Sequence, residues 1–568
     1  MTNKHSKLML KWFVHCIAGF FIVWYAASCF GQAIGSPYVP LDNWVYPAIE
    51  RVAASEMVNS AYLGQRPWTR LQCAEFVQEI RHSLRAEDLA TSREDLYRAL
   101  ELEFTPELRK LASGPGSEIV LESLYARSTQ ISGTPLTDSY HFGQTIANDF
   151  GRPYFTGNND IAGGSIRGSS GRFFAYVRGE YQHAPAIPSL TLAQQKELAA
   201  VDRVPLAPNV LGRDQVNVFR LLDTYAGVRL GDTQVTFGKQ SLWQGPGESG
   251  AVLFSNNVDP LYMLRINQVE PKRIGGFFKY LGPVTTDFFI AKMSGHLYPQ
   301  RPFIHGEKIS FKPTENFEFG FSRTALFLGQ GNGFTFGRFE KSYFSLSSPI
   351  TGADPGDRKG GFDFSYRVPG LRRWLTIYND SFADDDPSPL DSPRRAAWNP
   401  GIYMPQIPMF RNLDFRAEGV YTDLPSLASV GGVFVYYNAA YKDGYTNKGN
   451  MLGNVVGREG KAVQVQSTYW FTGRDTLQLM FRGGRVASDF IPGGGTQDTF
   501  RIRGTLVRHN ALSIVPTVQY ERWDFPFLAV LPRRNVSASI EITYTPTKIG
   551  FFRGRKQDVQ PLTQNAPQ

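Results

Sequence analysis

The sequence predicts a mainly β fold, a transmembrane antiparallel β-barrel of about 16–18 strands preceded by a small N-terminal α-helical bundle. Three observations carry this prediction. Apolar and polar residues alternate one by one over successive segments toward the C-terminal end. Short and long connections take turns between those segments. The 568-residue chain also has no linker or compositional break from about residue 140 onward, although most soluble chains of this length divide into several domains.

The last predicted strand shows the alternation most clearly. Val536, Ala538 and Ile540 fall on one face, and Ser537 and Ser539 on the other. Because successive side chains of a strand point to opposite sides, such segments form a sheet with one apolar and one polar surface. A soluble β-sandwich gives the same local pattern. Tight turns at one rim and long loops at the other favour an outer-membrane barrel whose apolar face meets lipid.

Residues 1–33 are expected to be a signal peptide that is cleaved when the chain is exported to the cell outer membrane. Three lysines precede an apolar run over residues 12–30, and the small residues Gly31 and Ala33 follow it. A retained anchor helix and lipidation at Cys29 are the alternatives. The run is only marginally long enough to span a bilayer, which favours cleavage. Cleavage leaves Cys73 as a lone thiol, so no disulfide can form within one chain.

A periplasmic helical bundle is predicted over residues 34–130. Asp42 or Asn43 can cap its first helix, Thr69 and Gln72 form a capping box for the second, and Thr91 can open a third. The barrel itself is predicted over residues 131–546, and a basic, disordered tail over residues 547–568.

The predicted connections fall into two classes. The tight ones are at residues 282–283, 313–316, 368–370, 472–475 and 508–511. The long ones are at residues 294–306, 329–360, 380–413, 442–460 and 483–498. A further helix is predicted as an insertion at residues 190–200. Short links at one rim and long links at the other are typical of barrels that span the outer membrane.

Charge and composition narrow the function classes. The formal net charge is +9, and removing the three lysines of the leader, which contains no acidic residue, leaves +6. In an exported barrel this excess points to anionic lipid or an acidic glycan rather than nucleic acid. No second apolar stretch approaches the length of a spanning helix, and the mean hydropathy is −0.27.

No catalytic pattern emerges, so the chain is not expected to be an enzyme and no cofactor or metal is expected. The acidic run at residues 384–386 stands between prolines in a predicted loop, where a solvated tip is the ordinary explanation. Gly329, Gly331 and Gly333 have the spacing of a phosphate loop but join strands rather than open a helix. His296 and His305 flank one loop without a metal-binding spacing.

The predicted long loops offer the parts of a glycan site. A sugar presents hydroxyl groups and an apolar ring face, so its site needs aromatic side chains beside polar and basic ones, and an acidic sugar is drawn to arginine. The candidate residues are Trp398, Tyr403, Arg394, Arg395, Tyr445, Trp523 and Arg533. The alternative for each aromatic residue is the interfacial girdle that anchors a barrel in lipid.

One middle segment resembles the signature segment of the capsule assembly Wzi family. The residues that carry the resemblance include Trp243, Gly245, Pro246, Asn256, Asn257, Pro260 and Arg265. This resemblance implies an outer-membrane barrel of about eighteen strands with a helical bundle at its periplasmic mouth. It also implies that the chain binds capsular or extracellular polysaccharide, helps to assemble or retain it at the cell surface, and contacts outer-membrane lipid.

Two alternative functions stay open. The first is an outer-membrane porin or transporter for sugars or small solutes, with Arg482, Arg501 and Arg503 facing the lumen. The second is a tether to the cell wall, because the front block also resembles a fragment of an S-layer homology module. That resemblance implies peptidoglycan as a further partner through residues 38–85.

Overall fold

A computed structural model describes residues 33–546 apart from gaps at 86–87, 89–90, 207–211, 345–355, 385–387 and 425–430. The predicted signal peptide up to residue 32, the tail over residues 547–568 and most of the acidic run at 384–386 lie outside the described residues. The described chain forms a closed antiparallel barrel of 18 strands, preceded by four helices. The predicted fold class is confirmed.

Four helices form the N-terminal block: α1 (Val45–Ala54), α2 (Arg70–Ser83), α3 (Ser92–Glu103) and α4 (Thr105–Ser113). The predicted capping box before α2 is complete, since the Thr69 side chain accepts from the Gln72 backbone and the Gln72 side chain accepts from the Thr69 backbone. Thr91 caps α3 as predicted. Asn43 Oδ1 accepts the backbone N–H of Val45, the first residue of α1, at 3.0 Å.

The strands are β1 (Ser117–Gly133), β2 (Gly157–Ser170), β3 (Phe173–Ala184), β4 (Val216–Leu230), β5 (Thr233–Gln240), β6 (Leu261–Gln268), β7 (Pro283–Lys292), β8 (Phe303–Thr314), β9 (Phe317–Phe327), β10 (Asp357–Arg367), β11 (Thr376–Asp384), β12 (Ala396–Met404), β13 (Leu413–Tyr421), β14 (Gly460–Trp470), β15 (Thr476–Val486), β16 (Gly495–Arg508), β17 (Leu512–Asp524) and β18 (Arg533–Tyr544). Each pairs antiparallel with its neighbours, and β1 closes the cylinder: Ile131 lies opposite Gly157 of β2 and Ser537 of β18.

The predicted boundary between helices and barrel at residue 130 was wrong, because α4 ends at Ser113 and β1 begins at Ser117. The first half of β1 contains Glu118, Leu121, Glu122 and Leu124, residues that suit a helix equally well. Its inward carboxylates are stabilised by ion pairs with basic residues of the block. Glu118 lies 2.6 Å from Lys110, and Glu122 lies 3.4 Å from Arg70.

The outer surface of the barrel is the apolar face that the alternation predicted. Val518 and Val536 are 51% and 43% exposed, whereas the intervening polar residues Gln519 and Ser537 are 4% exposed. An apolar belt on the outside of a closed barrel is typical of outer-membrane barrels, and this barrel is one. The polar side chains fill the interior.

Short and long connections alternate around most of the barrel, and the long ones mark its outer end. The exception is the link at residues 269–282 between β6 and β7, which lies at the short-turn end although the sequence predicted a tight turn at 282–283. The predicted long connection at 380–413 was wrong, because it contains the complete strand β12. Two prolines, Pro393 and Pro400, and the Asn399 between them made this stretch resemble a loop. The extra strand restores the alternation, since residues 405–412 form the missing short link.

The helical block sits in the short-turn mouth. Its side chains and backbone bond to the links between strands: Arg51 Nη2 donates to the Arg411 carbonyl at 3.0 Å, and Tyr62 Oη donates to the Pro283 carbonyl at 2.5 Å. Glu318 of β9 accepts the backbone N–H groups of Leu63 and Gly64, both at 2.9 Å. Together with the ion pairs to Glu118 and Glu122 of β1, these contacts hold the block across the short-turn mouth.

Two more helices lie in long connections. The predicted insertion is α5 (Leu192–Val201), while α6 (Phe336–Phe344) was not predicted. Helix α6 covers an outward-facing part of β8, where His305 is fully buried and its Nε2 lies 2.9 Å from Ser342 Oγ. No helix among the described residues has the length and apolar character needed to cross a bilayer.

Candidate functional site: the closed outer end and the polar interior

The long connection between β1 and β2, residues 134–156, folds into the barrel and is called the roof loop below. Tyr140, Phe142 and Phe150 are each buried to 6% exposure or less. Inside the barrel, Thr145 is held by β17, two strands away from β1: its Oγ1 donates to Glu521 at 2.5 Å, and its carbonyl accepts from Gln519 at 2.8 Å. The roof loop therefore folds into the lumen.

A second connection, residues 241–260 between β5 and β6, also lies inside and is called the inward segment. Carboxylates of the facing wall hold its backbone: Glu418 accepts the N–H of Ser249 at 2.7 Å, and Asp380 accepts that of Val252 at 2.7 Å. The Gly250 carbonyl accepts from Asn454 Nδ2 at 2.6 Å. Gly250 has a φ of +132°, and a Cβ there would lie 3.0 Å from Asn454, so this position favours glycine.

The third inward-folding connection, residues 422–459 between β13 and β14, is called the mouth loop. Tyr436 and Tyr445 stack with ring centroids 5.8 Å apart, both at 1% exposure or less. Tyr436 Oη donates to the Val252 carbonyl of the inward segment at 2.6 Å. These apolar contacts make the three connections one continuous core across the outer end of the barrel.

An ionic cluster ties the connections together. His141 of the roof loop lies between two carboxylates, with Nδ1 2.6 Å from Asp138 and Nε2 2.9 Å from Asp202. Asp202, which follows α5, also accepts from Arg458 of the mouth loop at 2.6 Å. The Arg458 guanidinium lies 4.5 Å from the ring centroid of Phe490 in the next long connection. Four long connections therefore meet at this cluster.

Below the roof loop the lumen is open to water from the periplasmic end. A polar cavity of about 520 Å³ lies between the helical block and the wall formed by β14–β18 and β1, and is called the vestibule. Luminal side chains of β16 change from buried to exposed toward the short-turn rim, from Thr499 through Arg501 to Arg503. The vestibule ends at the roof loop, whose residues 144–149 line it. In the described part of the chain it is therefore a blind cavity rather than a through pore.

The aromatic candidates for sugar binding do not lie together. Trp398 and Tyr403 belong to β12 instead of a loop, with Trp398 on the lipid-facing side and Tyr403 in the lumen at 6% exposure. Tyr445 and Trp523 are buried at 1% and 3%. Trp523 is the last but one residue of β17 and donates through Nε1 to the Thr134 carbonyl at 2.8 Å. Both pack the closed end rather than present a ring to solvent.

The basic candidates are placed differently. Arg394 and Arg533 are exposed at the outer rim, whereas Arg395 is half-buried with its guanidinium 5.0 Å from the Phe434 ring centroid. The outer rim therefore carries positive charge without the predicted aromatic platforms. Whether these side chains contact a glycan stays a prediction.

The residues of the signature segment do lie together, in the inward segment and, for Arg265, in the middle of β6. Trp243 exchanges backbone hydrogen bonds with Arg66 of the helical block, at 2.9 and 3.1 Å. Asn257 Oδ1 accepts the backbone N–H of Asn148 in the roof loop at 3.0 Å. Arg265 forms a bidentate ion pair with Asp287. The segment is thus a structural bridge between the helical block, the roof loop and the wall.

Comparison with known families agrees with this architecture. The model of the family described as "Capsule assembly protein Wzi" matches residues 126–537, which is most of the chain. The chain belongs to the Wzi capsule-assembly family. The resemblance predicted from the inward segment is confirmed.

Two relatives place this member within the Wzi family. A protein from the cps region of Klebsiella pneumoniae, described as an uncharacterized 55.8 kDa protein, is 25% identical over 222 residues, which cover 38% of this chain and 44% of that relative. The solved Wzi of Escherichia coli, an outer membrane protein involved in group 1 capsule assembly and a carbohydrate-binding β-barrel, aligns with a TM-score of 0.64 at 15% identity. That alignment covers 90% of this chain and 99% of the other.

The anchoring residues of this Wzi-family barrel had no signal in the sequence. Asp380, Glu418 and Asn454 are single polar residues in strands or loops, and their partners lie from 128 to 204 positions away in the chain. His141 next to Asp138 was the one local hint, because an acid three residues before a histidine is close enough to pair with it.

The ionic cluster gives a testable pH dependence. Burial alone would lower the pKa of His141, but Asp138 and Asp202 raise it to about 10. A raised folded-state pKa contributes stability that is complete below the ordinary value of about 6.5 and is lost as the pH rises through about 10. We expect His141→Gln to be cut by trypsin in the long connections roughly tenfold faster than the native chain at pH 7, since a charged hydrogen-bonded pair is lost.

The measurement is the ratio of cleavage rates between variant and native protein from pH 7 to pH 10.5, which removes the enzyme's own pH dependence. The ratio is expected to fall toward one near pH 10, because the native His141 then loses its charge. His183→Gln serves as the control, since this half-buried histidine bonds only to Asn217 at 2.8 Å on the outer surface. A ratio that stays constant across the range would contradict the role of His141.

Proposed function

We propose that this barrel binds an acidic extracellular polysaccharide at its long-loop end and helps to assemble or hold it at the cell surface. Membership of the Wzi family is the observation that carries the proposal. The Escherichia coli Wzi with the same fold is described as a carbohydrate-binding barrel involved in capsule assembly. The sealed outer end of the lumen supports a binding and scaffolding role over an open porin.

The surface proposed for such binding is the set of exposed cations at the outer rim, called the rim cations: Arg203, Arg301, Arg394, Lys448 and Arg533. Among them, Lys448 also pairs with Asp259 at 2.6 Å. They come from five different long connections or strand ends and surround the closed mouth. Guanidinium and ammonium groups spread over one face attract a polyanion and suit its carboxylate or phosphate groups. Tyr445 and Trp523, which the sequence suggested as sugar contacts, are buried. The proposed contact surface therefore consists of the rim cations instead.

Replacing the five rim cations by glutamine is expected to weaken binding of an acidic polymer to intact cells at least about tenfold, because several charge-assisted contacts are lost at once. Fluorescent polygalacturonate is the probe, and neutral dextran of the same length is the comparison. On intact cells only the outer face of the protein is accessible to the polymer.

The matched control replaces five exposed cations at the other end of the molecule: Arg98, Arg109, Arg172, Lys279 and Arg508. This variant has a similar loss of charge and should bind as the native protein does. Equal binding by both variants, or equal binding of dextran and polygalacturonate, would count against the proposal. The surface amount of each variant is measured by antibody to the same folded protein.

We further propose that the role is non-catalytic and that the apolar belt contacts outer-membrane lipid. Among residues 33–546, outside the gaps, no three His, Cys, Asp or Glu side chains are grouped so as to hold a metal ion. Peptidoglycan binding through residues 38–85 stays an untested proposal. Its resemblance rests on Trp44, Tyr46 and Arg70, and these have partners within the protein, in Arg474, the Val39 carbonyl and Glu107 respectively.

A further inference from the structure

The vestibule contains a row of arginines on its wall. Arg501 and Arg503 are two residues apart on the luminal face of β16. The next luminal residue of β16 is Thr499, and Arg482 lies directly opposite it on the neighbouring strand β15. Side chains two positions apart on a strand are about 7 Å apart, so the three cations form a line that leads inward from the periplasmic opening. All three line the 520 Å³ cavity.

These arginines differ from the others inside the barrel. Arg127, Arg178 and Arg416 each have a carboxylate within 2.8 Å. Within the described part of the chain, Arg482 and Arg503 have no hydrogen bond or ion pair, and Arg501 has one long contact, 3.5 Å to Gln478 Oε1, with its Nε left without a partner. Clustered like charges without counter-charges are unfavourable in a partly enclosed space.

The nearby carboxylates are already engaged. Glu248 lies 3.3 Å from Arg416 and accepts from Gln466 at 3.1 Å. Glu521 accepts from Thr145, Gln497 and Asn535 at 2.5 to 2.8 Å. Neither is within ion-pair distance of the arginine row. The missing counter-charge therefore has to come from solution.

The rest of the lining suits a saccharide. Neutral hydrogen-bonding side chains cover the wall beside the arginines: Gln464, Gln478, Thr505, Thr517 and Ser539. Hydroxyl and carboxamide groups both donate and accept, as sugar hydroxyl groups do. The cavity volume falls within the range of ordinary small-ligand sites.

We infer that the vestibule is a binding site for a short acidic saccharide that enters from the periplasmic end, its carboxylate or phosphate groups paired with Arg482, Arg501 and Arg503. This site is separate from the rim cations, because the roof loop and the closed mouth lie between them. Binding in the vestibule does not require the outer face to bind polysaccharide. The vestibule proposal and the rim-cation proposal can therefore be refuted independently.

The test is calorimetric titration of the full purified chain in detergent with tetragalacturonate, and with maltotetraose as the neutral probe. The native protein should bind the acidic tetramer with an affinity that falls as salt is added, and should not bind the neutral one. The variant Arg482→Gln/Arg501→Gln/Arg503→Gln should bind at least tenfold more weakly. The lysine triple variant keeps the charges and should retain most of the affinity, which separates loss of charge from misfolding.

The variant without the rim cations should titrate as the native protein does, which distinguishes this site from the outer face. Inorganic phosphate and glucose 1-phosphate are titrated in parallel, and each is tested as a competitor of tetragalacturonate. Competition by these two probes assigns a phosphate-bearing saccharide to the site, and a lack of competition assigns a carboxylate-bearing one. Equal affinity of the glutamine variant, equal binding of maltotetraose, or no binding of any of the four probes would overturn the inference.

Discussion

Excision of residues 137–152 from the roof loop, with the ends joined by a short Gly-Ser linker, is expected to convert a silent barrel into a conducting pore. The vestibule is already open to the periplasm, and residues 144–149 form its inner end. Ile131 and Gly157 pair directly, so the shortened connection closes without straining β1 or β2. An 18-stranded cylinder is wide enough for an aqueous channel once its interior is cleared.

Planar-bilayer recordings give the result as steady current steps from the excised variant against a flat baseline from the native protein. Heat-dependent migration on a gel confirms that both are folded barrels. Deletion of residues 37–113 is the comparison, and we expect that variant to remain silent because the roof loop still closes the outer end. Steady current through the native protein, or silence from a folded roof-loop variant, would refute the assignment of the roof loop as the seal.

Replacement of Arg265 by methionine is expected to cost about 3–5 kcal/mol of unfolding free energy, because it leaves a buried charge without its partner. Arg265 donates from Nε and Nη2 to Asp287 at 2.9 and 2.7 Å, and both side chains are fully buried. The Arg265 guanidinium also lies 4.8 Å from the ring centroid of Tyr38, which anchors the start of the helical block. Loss of Arg265 therefore loosens two parts of the fold.

The double variant Arg265→Met/Asp287→Leu should recover most of the loss, since neither side chain then carries a buried charge. Urea unfolding in lipid vesicles, followed by tryptophan fluorescence, gives the free energies. Arg98→Met is the control, because the Arg98 pair with Glu94 lies on an exposed helix face and its removal should leave the unfolding curve unchanged. A double variant as unstable as the single one would contradict this account.

Local patterns were sufficient for most of the wall of the barrel and for the starts of α2 and α3. The alternation around Val536 and Ser537 reports directly which side chains face lipid, because it depends only on the geometry of a strand. The capping box at Thr69 is equally local. The strand β12 was missed because Pro393 before it and Pro400 within it are residues typical of a loop, although Pro400 lies on the outward face of the strand.

The glycan candidates failed for a different reason. Tyr445 and Trp523 stand near basic residues in the sequence, as residues of a sugar site do, and also as residues of a packed loop do. Only burial separates the two cases, and burial depends on which distant segment covers the ring. Tyr445 lies against Tyr436 and Phe254, and Trp523 against Phe525.

The order of residues along the chain was enough to establish a closed cylinder with a lipid-facing belt, its helical block and its family. Each of these depends on a period, a cap or a motif contained in a short stretch. Which long connections turn inward, where the lumen ends and which arginines lack a partner were settled by the folded molecule. The bonds that decide these features, such as Asp380 to Val252 and Gln519 to Thr145, join residues 128 and 374 positions apart, and such pairings leave no local pattern to read.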